Sequence, residues 1–533
     1  MKKLILLSIL ILTNTITAQW QTDGIPVCDT SANKNFYMLP NIAADDSGGA
    51  YVCWHDGRNG NLDVYAQHVS RDGVMLWQRN GIPIAALEWG QQYPQIISDE
   101  RGGAFIAWED ARGDNLYPYV QRIGKDGKEL WTTNGIKASE QGGLFISIAN
   151  DKRGGVILGW SSVENAFVQR LDSMGNRVWG DTGVQITNRP GTIDGGDVAV
   201  TYDGNGGAIV AWAEEDTTYI QHIDSSGLVL WYTNGIKLSN PDKKYSGGIG
   251  ITSDLSGGVI VSWAEALSVE DTAKMYAQRI SASGEFLWDP SRILVGAFGA
   301  GGNLKRNVAD GSSGAFIGFG KKVQHLDSLG NKLWHPEGVR FTNNRVVFPN
   351  QTANGIKGIW SFWTDAHDLY AQYIDGNGNV KWGSNGVVIA DIPGLGYTPK
   401  SITDGKGNAI VVWNAFVGEG TSTVYAAKVD TLGMVTSVEY YNFYYPYKIQ
   451  MQQNYPNPFN PSTTIEFSIP LKNKVVIEVF DLLGRKIKTL INKEIEQGNH
   501  KIDFDSFNLS SGIYMYRMTS EATSIIRKML ILK

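Results

Sequence analysis

Apolar residues fall in short runs along the chain, interrupted by Gly, Asp, Asn and Ser. Segments such as "PQIISD", "GAFIAW", "YVQRI" and "KELW" are rich in β-branched or aromatic residues and sit between turn-forming residues, which predicts short strands. The pattern repeats. One signature is an Asp, Asn in one copy, nine positions before an aromatic: Asp45 to Trp54, Asp99 to Trp108, Asp151 to Trp160, Asp203 to Trp212, Asp254 to Trp263, Asp310 to Phe319, Asn354 to Trp363 and Asp404 to Trp413. A second signature is Gln, then Gly six residues on, then Trp four further. It occurs seven times, from Gln67–Gly73–Trp77 to Gln372–Gly378–Trp382. In six of these seven, another Gly follows the Trp by four.

Each repeat therefore predicts four antiparallel strands: one ending at the Asp, one ending at the first Trp, one around the Gln and one around the second Trp. The Asp and Gly residues supply the acceptor and the positive φ of the tight turns between them. A four-stranded unit about every 52 residues is the pattern of a β-propeller blade, although a solenoid or a string of sandwiches would use the same strands. The eighth repeat lacks its second Trp: Ser437 stands four residues after Gly433. The missing indole lies at the other end of the chain, where Trp20 precedes Gly24 by four. An N-terminal strand completing the last blade closes eight blades into a ring and removes the open edges of a linear array. Fifteen of the 17 Trp fall on the two repeat positions, which predicts packing between blades. Trp89 and Trp360 break the pattern, and Trp89, in the loop "LEWGQQYP", is the better ligand contact.

The D-x-x-G-x-x-x-W unit, seen at Asp172–Trp179, Asp224–Trp231, Asp327–Trp334 and Asp375–Trp382, resembles the tryptophan-docking repeats of eight-bladed quinoprotein-type propellers. The resemblance implies a blade-docking role for the Trp. It maps no quinone or calcium ligands, because the acid-to-Gly spacing differs by one and the usual Thr is absent.

Both ends of the chain have a different texture. Lys2 and Lys3 precede the apolar run 4–12, with Ala18 beyond it. This is the order of a secretory signal, too short to span a bilayer, with cleavage expected after Ala18 although Ile16 stands where a second small residue is usual. From about Ile449 a module of roughly 80 residues begins. Val475, Ile477 and Val479 would face one way there and Glu478 the other, a period of two that, broken by turns at Gly484 and Gly512, suggests a small β-sandwich. Its motifs are "NYPNPFNPSTTIEF", "VFDLLGRKI", "LSSGIYMYRM" and the terminal "RKMLILK". They closely resemble the C-terminal sorting domain of the type IX secretion system, found on exported proteins of the Bacteroidetes and their relatives. That resemblance implies an immunoglobulin-like sandwich recognised by outer-membrane machinery. Its sorting motif would comprise Tyr455, Pro456, Asn457, Pro458, Phe459, Gly484, Arg485, Gly512, Ile513 and Tyr514. The expected organisation is thus a signal at 1–18, an all-β propeller at 19–437, a Tyr-rich linker at 438–451 and a sorting domain at 452–533.

Composition narrows the function. A net charge of −6 lacks the basic stripe that nucleic acid requires, and after the leader no long apolar segment remains. Cys28 and Cys53 are the only cysteines, and an exported protein permits their pairing without specifying it. His68, His222 and His325 each follow the repeat Gln, where other copies carry Arg, so they read as repeat elements. No HExxH, GxSxG or P-loop pattern occurs. The loops after the first Trp vary in length and are polar: "HDGRNGNLD", "EDARGDN", "EED" and "TDAHD". Variable loops on a rigid scaffold usually carry binding. The candidate ligand contacts are Asp56, Arg58, Trp89, Asp110, Arg112, Asp365 and His367. Asp56, Asn59, Asn61 and Asp63 offer oxygens to calcium without EF-hand spacing, and no other cofactor is expected. The expected role is a secreted or surface module binding an extracellular glycan or protein, with a polysaccharide hydrolase or lyase using loop carboxylates as the alternative.

Overall fold

The computed structural model describes residues 20–532 apart from 22, 29–37, 114, 163–164, 188–192, 240–244, 268–271, 289–291, 300–306, 354–357, 366–367, 392–398, 417–421, 436–448, 470–472, 496–497 and 521–522. The expected signal segment, most of the Tyr-rich linker, Asn354 and His367 lie outside the described residues. The chain divides into two compact units, Met1–Val438 and Glu439–Lys533. No helix occurs among the described residues.

The first unit is an eight-bladed β-propeller built from four-stranded antiparallel sheets. Blade 1 runs through Asn41–Ala44, Ala50–Asp56, Asp63–Val69 and Ile82–Ala85 in spatial order, and blades 2 to 7 repeat this meander. The first strands of successive blades lie side by side around the ring, and the first strand of blade 8, Lys400–Thr403, meets that of blade 1. First strands therefore surround the axis. The 1–2 and 3–4 turns lie on one face, the turn face; the 2–3 loops and blade-to-blade connections lie on the other, the loop face. Blade 8 has three strands of its own, and its fourth is Ile25–Cys28, antiparallel to Ser422–Val429 with Ile25 opposite Ala426.

The repeat residues hold each blade by one scheme. In blade 1, Asp45 Oδ1 accepts the amides of Ser47 and Gly49 at 2.8 Å, which shapes the 1–2 turn, while Oδ2 meets His68 Nε2 at 2.9 Å. Burial pushes this carboxyl up, but the His68 and amide hydrogen bonds outweigh it and hold it at about 2. Arg122, Arg170, His222, Arg279, His325 and Lys428 take the place of His68 in other blades. The three histidines are thus repeat elements. Blade 7 fills the same place with packed rings: Trp360 lies 5.2 Å from both Tyr373 and Trp382. That accounts for the out-of-pattern Trp360, which is fully buried. The repeat Gln is buried too. Gln67 accepts the amides of His68 and Trp77 and donates to the carbonyl of Gln78.

The second Trp departs from expectation. It does not lie in the fourth strand, which in blades 1 to 4, 6 and 7 begins only after the following Gly. A single bridge, Val69 to Met75 in blade 1, extends the third strand past its turn, and the chain then bends so that the indole reaches the next blade. Trp77 Nε1 donates to Lys125 O of blade 2 at 3.0 Å. Trp131, Trp179, Trp231, Trp288 and Trp334 donate likewise to Ser173, Ser225, Ala282, Ser328 and Gly376, each in the 3–4 turn of the following blade.

Trp20 completes this ring. It is 3% exposed, and its Nε1 donates to Arg71 O at 2.9 Å. The indole therefore docks on blade 1, one blade beyond the Trp413 blade whose fourth strand it precedes. Gly24 is the residue that lies on Trp413: at φ +81° it sits so close that a Cβ would come within 2.3 Å of that ring. Gly73, at φ +82°, makes room for Trp20 itself, since a Cβ there would meet the indole at 3.1 Å. One signature Gly thus frees the turn for the previous blade's Trp, and the next frees the strand entry over its own blade's first Trp. Cys28 and Cys53 are both buried and unpaired with each other.

The second unit packs the three-stranded sheet containing Ser462–Ile469 against the four-stranded sheet Lys486–Ile495, Asn473–Phe480, Gly512–Ser520 and Thr523–Ile531. Val475, Ile477 and Val479 are fully buried between them, while Glu478 faces outward to Lys486 and Arg517.

Candidate functional site

On the loop face of the propeller, the second strand of each blade ends just past its first Trp. In blade 1, Trp54 stacks on Tyr65 and donates from Nε1 to Asp56 Oδ2 at 2.9 Å. Asp56 is fully buried and also accepts Arg58 Nε at 2.8 Å, with Arg58 Nη2 on its other side. The guanidinium lies 3.8 Å over Tyr65 and donates to Asn80 O at 3.0 Å. Blade 2 repeats this cage with Trp108, Asp110, Arg112, Tyr119 and Asn134. Blade 5 builds it from Trp263, Glu265 and Tyr276, with Arg292 arriving from the 3–4 connection. The aspartates and arginines singled out in these loops are thus tied to one another, and they clamp the first Trp from above.

The calcium candidates are similarly engaged. Asn59 donates to Asp63 Oδ2 and to the Tyr65 hydroxyl at 2.8 Å, and Asn61 donates to the carbonyls of Leu87 and Trp89. Burial, reinforced by Asp56, pushes the Asp63 carboxyl up. Arg58 already neutralises Asp56, while Asn59 and Asn61 are held through their amide nitrogens. No three His, Cys, Asp or Glu side chains converge as a metal site among the described residues. In blade 7, Asp365 and Asp368 both accept the Tyr370 hydroxyl at 3.0 Å.

The loop face also exposes aromatic side chains. Trp89 is 58% exposed, its backbone pinned by Asn61 and Gln91. Tyr93 and Phe145, each 46% exposed, occupy matching places at the start of the first strands of blades 2 and 3. Both lie where the register slips, between Gln92 and Gln95 and between Leu144 and Ser147. Both hold positive φ, 52° and 59°. For a bulky side chain that costs roughly 1–2 kcal/mol. A buried acceptor on the preceding blade, the residue directly after the first Trp, secures each one. His55 Nδ1 accepts the Tyr93 amide at 2.9 Å, and Glu109 Oε1 accepts the Phe145 amide at 2.7 Å. Burial pushes the Glu109 carboxyl up, partly offset by that amide and by Gln92. These two aromatics carry a weak sequence signal: each stands six residues before the repeat Asp.

In the second unit, strand register brings the sorting-motif residues to one end of the sandwich. Ser462 opposes Asp505, Phe480 opposes both Lys486 and Met515, and Gly512 opposes Ile531. The segment 455–461, the turn 481–485, the loop 506–511 and the C-terminal residues therefore share that end. Asn457 Oδ1 accepts the Leu530 amide at 2.8 Å, and Phe459 exchanges backbone bonds with Leu530 and Leu532. Asn454 braces the segment from beneath through Pro456 O, Thr463 Oγ1 and the Tyr516 hydroxyl. Asp481 accepts the amides of Leu483 and Arg485, and its turn presents Leu482 and Leu483 to solvent. Phe507, Ile513 and Tyr455 are exposed nearby, whereas Phe459 and Tyr514 turn into the core.

Residues 453–532 match the family of secretion system C-terminal sorting domains. No curated protein matches the chain in sequence. Among solved structures, the chain is similar to a protein of unknown function from Dyadobacter fermentans, at 11% identity and a TM-score of 0.38, over 76% of this chain and 98% of that one. It is similar to PorZ, a surface component of the type IX secretion system of Porphyromonas gingivalis, at 11% identity and 0.33, over 93% and 70%. It is also similar to prolyl oligopeptidase B of Galerina marginata, at 12% identity and 0.41, over 83% and 56%. Likeness at this level carries no functional argument. The tail match, together with the two folds, identifies the chain as an eight-bladed β-propeller carrying a type IX secretion C-terminal sorting domain, which marks it for secretion or display at the outer-membrane surface.

Proposed function

We propose that the propeller is a binding module for an extracellular polymer, a glycan or a protein, delivered by its sorting domain and engaged through the loop face. One observation carries this reading: in blades 1, 2 and 5 the loop-face carboxylates Asp56, Asp110 and Glu265 are buried in Trp–acid–Arg cages, while Trp89, Tyr93 and Phe145 stand exposed. Rigid aromatic side chains on a fixed scaffold supply contact area at low entropic cost. The hydrolase alternative needs a proton-donating carboxyl and a second carboxylate flanking the scissile bond. Asp56, Asp110 and Glu265 are each held by a guanidinium and an indole N–H, which suits clamping rather than proton transfer. The test is retention of the full mature chain on immobilised extracellular polysaccharides and matrix proteins. Retention that falls with Trp89→Ala, with no soluble product released, supports binding. Sugar release abolished by Asp110→Asn without a change in melting temperature would establish the hydrolase instead.

A further inference from the structure

The two strained aromatics carry more than the general reading, on which this inference rests. In blade 5, Gly248 occupies the place held by Tyr93 and Phe145: six residues before the repeat Asp, inside the register slip between Gly247 and Gly250, at φ 65°. Glycine meets that backbone without strain. The fold thus accommodates glycine here, while blades 2 and 3 hold bulky rings in an unfavourable conformation and leave them half exposed. Such strain marks a functional constraint when neighbouring groups hold it in place. His55 and Glu109 do so, and both are buried beneath the surface.

The surroundings specify the ligand chemistry. The segments 90–98 and 142–150, which carry the two rings, contain no charged residue. Asp56 and Asp110, in the loops of blades 1 and 2, are neutralised by Arg58 and Arg112. Two half-exposed aromatic rings on adjacent innermost strands, in segments without charged residues, suit the C–H faces of consecutive uncharged sugar rings. We infer that Tyr93 and Phe145 form a paired stacking subsite for the pyranose rings of a linear, neutral polysaccharide, with His55 and Glu109 as the residues that position them.

Calorimetry on the full mature chain tests this with linear hexasaccharides of glucose, mannose or xylose, and with polygalacturonate and gelatin as charged and protein comparators. Tyr93→Gly and Phe145→Gly leave the backbone in the conformation it already takes. Each is expected to melt at or above the parent temperature while weakening binding of a neutral hexasaccharide about tenfold or more. Tyr93→Phe, which keeps the stacking face, binds like the parent. Hexasaccharide binding unchanged in both glycine variants overturns the subsite, as does a parent chain that binds only polygalacturonate or gelatin. In that last case, weakening by Trp89→Ala leaves the polymer-binding reading standing without the subsite. If the parent binds none of the probes, both readings fall.

Discussion

Trp20→Ala tests the closure of the ring at its one non-consecutive seam. The indole is 3% exposed, packs on Gly73 and donates to Arg71 O at 2.9 Å. Truncating a buried Trp to Ala costs about 3–5 kcal/mol, of which the lost hydrogen bond contributes about 1 kcal/mol. An interior docking Trp shows the same local loss, but its blade is covalently continuous on both sides. At Trp20 the loss falls on a four-residue strand, Ile25–Cys28, that holds blade 8 through one ladder with Ser422–Val429. A loss of 3 kcal/mol raises the population of the seam-open form by about two orders of magnitude. Hydrogen exchange reads this locally: the amides of Ile25, Val27 and Cys28 and those of 422–429 should lose protection together, well before those of blades 3 to 5. The exposed edge of Ser422–Val429 should also promote self-association. Trp131→Ala, at an interior seam, should lower the urea midpoint without uncoupling these two strands. Equal protection of residues 25–28 in the parent and in Trp20→Ala would refute the closure argument.

Acid should weaken the propeller within a defined window. The Asp45 carboxyl is held at about 2, below its ordinary 3.8, and those of Asp203, Asp310 and Asp404 are lowered as well. Depressed carboxyls give stability that is fully present above their unfolded value and lost as pH falls through the folded one. The urea midpoint should therefore fall between about pH 4 and pH 2, and less so in Asp45→Asn. Arg58→Met and Arg112→Met each leave a fully buried aspartate without its cation, and should destabilise by about 3 kcal/mol in chemical denaturation; replacing Asp56 as well should recover part of that loss. Cys28 and Cys53 should resist alkylation until the propeller unfolds, since both are fully buried and burial pushes the Cys53 thiol up. Leu482→Asp with Leu483→Asp should leave the melting temperature unchanged, because both side chains face solvent, and should reduce export if the sorting end is the face the machinery reads.

Several features were legible from spacing alone. The nine-residue offset from Asp to Trp spans one tight turn and one strand, so its eight copies count the blades, and the orphan Trp20 points to closure. Other features depend on contacts distant in sequence. The second Trp reads as a strand residue because it follows an apolar run, yet it lies in a connection whose bend aims it at the next blade. Asp56 and Arg58 look like free loop groups, and only the fold shows the indole and tyrosine that engage them. Tyr93 and Phe145 are inconspicuous in the sequence because nothing local signals a positive φ at a bulky residue.

Repeat number, strand order and the sorting tail follow from local periodicity and short motifs, which any window of the chain displays. Which polar groups are consumed internally, which aromatics remain exposed, and which blade receives Trp20 were settled by tertiary structure, because burial and hydrogen-bond satisfaction depend on partners 20 to 50 or more residues away.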